Sequence, residues 1–135
     1  MNNDKCLNEL IKGVNVGILA IEHVEDKIED YELKNIVLSQ KQSYKDLKSK
    51  IINHYSCDHE EGTQELMMEM MIELKTLMKD DKKIARMLIE GSNQAIMSMT
   101  HLLNEEEHVE ETLKNFAKEF EYISKKYIEY LKTFI

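Results

Sequence analysis

The sequence predicts an all-α fold, a four-helix bundle with one additional helix, and three observations carry that prediction. The chain has no proline, only four glycines and 33% charged residues in mixed Glu and Lys runs, which leaves little material for turns and much for helices. Apolar residues recur at three- and four-residue steps through most of its length, the spacing that places them on one face of a helix. Asp, Asn or Thr precedes each apolar stripe, as residues that cap helix amino termini do. At 135 residues and 42% hydrophobic content, residues 1–135 suit a single domain with a core of its own.

Asn3 and Asp4 are candidate caps for a first helix over about 4–29, with the stripe Leu7, Leu10, Ile11, Val14, Ile18, Ile21, Val24 and Ile28. Asp30 can cap a second, 31–55, in which Leu33, Val37, Gln40, Tyr44, Leu47, Ile51 and His54 step by four and three. The pattern lapses in "SCDHEEG", after which Thr63 can cap a methionine-rich amphipathic helix over 64–79. Asp80 and Asp81 favour a new amino terminus, opening 82–104 with Ile84, Leu88, Ala95, Met99 and Leu102 inward. Asn104 with Glu107 resembles a capping box for a last helix, 105–134, with the seam Val109, Leu113, Phe116, Phe120, Ile123, Tyr127, Tyr130 and Phe134.

Loop length constrains how these helices connect. Two- or three-residue turns join the first helix to the second and the third long helix to the last, so each pair is an antiparallel hairpin. Between the pairs, a helix of about 16 residues covers roughly 24 Å, enough to return along much of a bundle. The predicted order is therefore up-down-down-up, as in ferritin-like folds, with 64–79 as a crossover. A single helix over 63–104 would reach roughly 60 Å and outrun every partner. The layout, with "LNELIKGVNVGILAIEHV", "QKQSYKDL" and "MLIEGSNQAIMSMTHLLN", resembles an uncharacterised family of small ferritin-like bundle proteins from low-GC Gram-positive, clostridial-type bacteria. The resemblance covers nearly the whole chain and implies a fold; its motifs are packing patterns and imply no reaction.

A formal charge of −8 repels a phosphate backbone, and the lysines and the lone Arg86 are interspersed with carboxylates, so nucleic-acid binding is disfavoured. No run approaches the roughly 18 apolar residues that span a bilayer, and the opening "MNNDKCLNELIKG" lacks the apolar segment of a secretory signal. Two cysteines suit a reducing compartment, and a cytoplasmic location is expected, with no membrane partner.

Ferritin-like di-iron centres use four carboxylates and usually two histidines, commonly through Glu-x-x-His on inward helix faces. The inward positions at mid-height here are Val14, Gly17, Gln40, Tyr44, Gly91, Ser92, Ala95 and Phe120, with no carboxylate among them. Glu90 falls on an outer arc with Arg86, Gln94, Met97 and His101, and the Glu105, His108 pair belongs to a helix start, where carboxylates complement the dipole. No di-iron centre and no other cofactor is expected. Gly91 and Ser92 read as small residues that let the third long helix approach Gly13 or Gly17. With Gln40 they form a central polar layer in which Ser92 can bond Gln40. A buried amide left unbonded costs about 1–3 kcal/mol, so Gln40 is expected to have a protein partner or a water.

The remaining metal candidate is His54, Cys57 and His59 in "HYSCDHEE", joined by Cys6 if the first helix begins beside the end of the second; imidazole and thiolate suit zinc or copper. A Cys6–Cys57 disulfide is the alternative use of that pair, disfavoured in a cytosol. Met67, Met68, Met70, Met71, Leu74 and Met78 make an apolar arc wider than one bundle contact needs, the best candidate for self-association. Tyr122, Tyr127 and Tyr130 read as an amphipathic helix end with wet hydroxyls. The expected function is a non-catalytic, homo-oligomeric structural or interaction module. The alternatives are a metal-binding or oxidoreductase protein, and a carrier with an apolar pocket beside Gly91 and Ser92.

Overall fold

The computed structural model describes residues 2–56 and 79–135, and side chains of the first helix from Asp4. Four long helices make up this part: α1 (Asn2–Val24), α2 (Tyr31–Tyr55), α3 (Asp81–Glu105) and α4 (Glu111–Leu131). Single 3-10 turns follow α1 at Glu25–Lys27 and α4 at Lys132–Phe134. Among the described residues there is no strand, and no helix is long and apolar enough to cross a membrane. The expected helix over 64–79, with Met67, Met68, Met70, Met71, Leu74 and Met78, lies outside the described residues, as do Cys57 and His59.

The four helices form a bundle in which α1 and α4 each pack against both α2 and α3, while α2 and α3 occupy opposite corners. The whole apolar stripe of α1 is buried, from Leu7 to Val24 and on to Ile28 in the turn. On α2 the buried set is Leu33, Val37, Gln40, Tyr44, Leu47 and Ile51. His54, expected to continue it, is exposed.

Aspartates organise one end of the bundle. Asp30 caps α2 by accepting the Leu33 N–H at 3.0 Å, and Asp80 caps α3 by accepting the Lys83 N–H at 3.2 Å. The cap at Asp80, with φ −130° and ψ 98°, starts α3 afresh, which excludes one helix running unbroken through this point. Asp81 has a role that the sequence pattern does not reveal: its two carboxylate oxygens accept the backbone N–H groups of Glu29 at 3.0 Å and Asp30 at 2.8 Å. The start of α3 is thereby tied to the turn between α1 and α2. At the opposite end Lys5 pairs with Glu106 at 3.4 Å, the Tyr55 hydroxyl donates to Glu110, and the His54 and Phe116 rings stand 6.0 Å apart.

Three boundaries depart from expectation. The first helix ends at Val24, short of 29, with Glu25–Lys27 tightened into a 3-10 turn. Asn3 and Asp4 lie within α1, which begins at Asn2. The last helix starts at Glu111, not at 105, because Asn104 does not cap: α3 continues through Glu105, and the Glu106 N–H still closes on the Leu102 carbonyl at 2.9 Å. Leu102 and Val109 are both buried, so α3 and the loop after it are held against the core on either side of the reversal. His108 makes that reversal at φ 67°.

The seam of α4 also runs in a different phase. Its buried line is Leu113, Ala117, Phe120, Ser124, Tyr127 and Leu131, with Ile123 and Ile128 beside it, whereas Phe116 and Phe134 are half-buried and Tyr130 is 46% exposed. Small Ala117 and Ser124 take central positions because bulky rings project into the interior next to them.

The close approaches of α1 are made at Gly13 and Gly17. A Cβ at Gly13 would sit 3.0 Å from the tip of the Phe120 ring, and one at Gly17 would sit 2.9 Å from the Tyr44 ring. The missing side chain at Gly13 lets α4 reach across the bundle to α1. Gly91, expected inward, is exposed, with nothing within 4 Å of where a Cβ would be. The rings of α2 and α4 fill the space facing α1, so no small residue of α3 is needed there.

Gly17→Ala is therefore expected to lower stability by about 1–3 kcal/mol, since the Tyr44 ring is buried and cannot move aside cheaply. Gly91→Ala is expected to raise it by about 0.5–1 kcal/mol through helix propensity alone. Urea unfolding of both variants checks the contrast, and equal destabilisation by the two would contradict this packing.

Candidate functional site

The most unusual chemistry of the described residues is a layer of neutral polar groups at the centre of the bundle. Helical spacing puts Gln40 and Tyr44 one turn apart on α2, both on its buried face. The Tyr44 ring lies over Gly17 of α1 and 5.7 Å from the Phe120 ring of α4, in a tilted arrangement. Its hydroxyl stands 2.7 Å from the Ser124 hydroxyl of α4, accepts a long 3.4 Å bond from the Gln40 amide nitrogen, and is within electrostatic reach of Ser92 of α3. Burial pushes the Tyr44 phenol above its ordinary pKa, opposed by the bonds to Ser124, Gln40 and Ser92. One turn along, Tyr127 of α4 is also buried, its hydroxyl 2.6 Å from Ser39 and 3.4 Å from Ser43 of α2. The α2–α4 contact is thus bonded through hydroxyls at two heights.

Of the expected layer, Gln40 is buried at 2% exposure and Ser92 is half-buried, while Gly91 is outside it altogether. Ser92 engages Tyr44, not Gln40. Asn15 and Ser124, both buried, were not anticipated. Ser124 was legible as the i+4 neighbour of Phe120 on the inward face; Asn15 breaks the α1 stripe and carries no such signal. The Tyr127 hydroxyl, expected wet, is satisfied within the protein. Tyr122 and Tyr130 are exposed as expected of a helix surface.

Buried polar residues among those described are Asn15, Gln40 and Ser124, none of them ionisable. Amides and hydroxyls do not replace the anionic oxygens that a pair of iron ions requires, so the buried polar side chains among the described residues do not by themselves fit a di-iron centre. Glu90, with Arg86, Gln94, Met97 and His101, lies on the exposed arc. Glu105 ends α3 and pairs with His101 at 3.3 Å, while His108 stands in the loop, so Glu105 and His108 do not share a helix face. No group of three or more His, Cys, Asp or Glu side chains among the described residues is arranged to hold a metal.

Two members of the second metal candidate can be located. His54 is exposed on the last turn of α2, edge-on to the Tyr55 ring at 4.6 Å. Cys6 is fully buried in the core near the amino terminus of α1, and its thiol pKa is raised, first by burial and then by Glu106. That setting opposes the thiolate form that zinc or copper would need. A groove of about 340 Å³ opens to solvent between α3 and α4, lined by Thr100, Leu103, Asn104, Lys114, Lys118 and Glu121, away from Gly91 and Ser92 where a carrier pocket was expected.

Comparison of the chain with protein-family models, with curated proteins and with solved structures finds no match.

Tyr44→Phe should cost about 1–3 kcal/mol in urea unfolding at neutral pH, because Ser124 and the Gln40 amide both lose a buried partner. Raised above its unfolded value, the Tyr44 pKa gives stability that is full below the ordinary phenol range and lost as pH climbs through the shifted value. The variant should therefore also lose that part of the alkaline destabilisation. Elemental analysis of untagged protein is expected to find zinc, copper, iron and manganese well below one per chain; a stoichiometric metal that His54→Ala or Cys57→Ala removes would contradict this.

Proposed function

We propose that this chain works as a non-catalytic ferritin-like bundle in the cytoplasm, self-associating as a structural or protein-interaction module. The observation that carries the reading is the neutrality of the bundle centre. Where ferritin-like enzymes direct carboxylates at iron, the inward groups here are Gln40, Tyr44, Ser92 and Ser124, bonded to one another in the manner of a register-setting layer.

The proposed order of the helices is up-down-down-up. Its support is the pairing of ends: Asp81 at the start of α3 meets the α1–α2 turn, whereas Glu106 just past its end meets Lys5 of α1. Such an order needs a connection running back along the bundle, which the length of 64–79 allows. It also agrees with kinship to the small ferritin-like family that the sequence resembles.

In this reading the Met-rich arc of Met67, Met68, Met70, Met71, Leu74 and Met78 supplies the self-association surface. Its support is chemical: one helix face in a bundle buries a narrower stripe, and flexible thioethers pack against varied partners. The dispersal of the lysines and the lone Arg86 among carboxylates and the overall −8 leave nucleic acid an unfavoured partner.

Light scattering at increasing protein concentration tests the proposal. The wild-type chain should give a mass of at least two chains, and the paired substitutions Met70→Asp and Met71→Asp should reduce it to one while the far-ultraviolet helix signal is retained. A wild-type mass of one chain at every concentration would overturn it.

A further inference from the structure

We propose that the centre of the bundle is a binding site for one buried water molecule, held by the side-chain carbonyl of Gln40. Gln40 is 2% exposed, and its Oε1 is the one buried side-chain polar atom among the described residues with no hydrogen-bond partner. The other end of the same amide makes only a 3.4 Å bond to the Tyr44 hydroxyl. Turning the amide over does not help: the oxygen would then face Tyr44, and the NH2 group, with two donors, would take the orphaned position. In either orientation one end of a buried amide requires a partner that can donate or accept, and water does both.

The neighbouring hydroxyls have other commitments. Tyr44 is bonded to Ser124 at 2.7 Å, and Ser39 and Ser43 converge on Tyr127. Ser92 of α3 is half-buried and interacts electrostatically with the same Tyr44 hydroxyl. Buried waters characteristically make two to four bonds to groups the fold leaves unpaired. The layer is tightly packed on its α1 side, where the Tyr44 and Phe120 rings stand 2.9 and 3.0 Å from where a Cβ would be at Gly17 and Gly13. The site is independent of self-association.

Water-selective nuclear Overhauser spectroscopy on the full wild-type chain reads this directly. The Gln40 side-chain NH2 protons should show a cross-peak to water with the sign of a molecule that tumbles with the protein. Gln40→Met should remove that long-lived water while leaving water contacts at the surface unchanged. Should that variant fail to fold, a high-resolution crystal structure of the wild-type chain supplies the second measurement, with a water oxygen expected within hydrogen-bonding distance of the Gln40 amide. Absence of the cross-peak, or density in which that amide end touches only protein atoms or a larger molecule, would overturn the proposal.

Discussion

All four helices meet at the side chain of Tyr44. Its ring lies on the bare backbone of α1 at Gly17, and its hydroxyl bonds Ser124 of α4 and is within electrostatic reach of Ser92 of α3, while the residue itself belongs to α2. A tyrosine can serve this way because its ring is a large apolar body and its tip demands a polar partner when buried. The demand is directional, so it selects one rotation and one height for each helix around it. Leucine at the same place would fill the volume and leave the neighbours free to slide. The glycine is the other half of the constraint, since any side chain at 17 would push the ring, and with it the hydroxyl, away from Ser124.

Electrostatics separates the interior from the surface with few exceptions. The interior is neutral among the described residues, and the carboxylates are used at helix ends and along exposed faces. Asp30 and Asp80 cap α2 and α3, Asp81 joins α3 to the turn before α2, and Glu25 pairs with Lys41 at 2.9 Å beside that turn. The Glu25–Lys41 pair is partly buried, and the Asp81 contacts engage backbone N–H groups of the turn that no helix bond uses, fixing where two hairpins meet. Among the described residues, the acids of this chain of net charge −8 thus lie at helix ends and on faces open to water.

The stripe of α1 and the buried set of α2 up to Ile51 were readable from spacing, because each inward position carries a bulky apolar residue or sits between two that do. On α4 the same logic placed Leu113, Phe120, Ile123 and Tyr127 in the core and misplaced Phe116, Tyr130 and Phe134. Phe116, Tyr130 and Phe134 are the conspicuous residues there, yet Ala117, Ser124 and Leu131 hold the centre, since size at one position of a close-packed layer is compensated by smallness at the next. Gly91 and Gly17 show the same limit from the other side. Both are glycines in helical patterns, and nothing local distinguishes the one that receives a ring from the one that faces open space.

By itself, the sequence determined the helical class, the approximate limits of α2 and α3, the aspartate caps and the exclusion of charge from the middle of the described bundle. These depend on periodicity, propensity and the cost of burying a charge, all of which act over a few neighbouring residues. The tertiary structure alone decided which polar groups meet, that Ser92 serves Tyr44 instead of Gln40, that Asp81 reaches across to Glu29 and Asp30, and which glycine is pressed against a ring. Those outcomes depend on the rotation of each helix about its own axis, and that rotation is set by partners some 50 to 90 residues away in the chain.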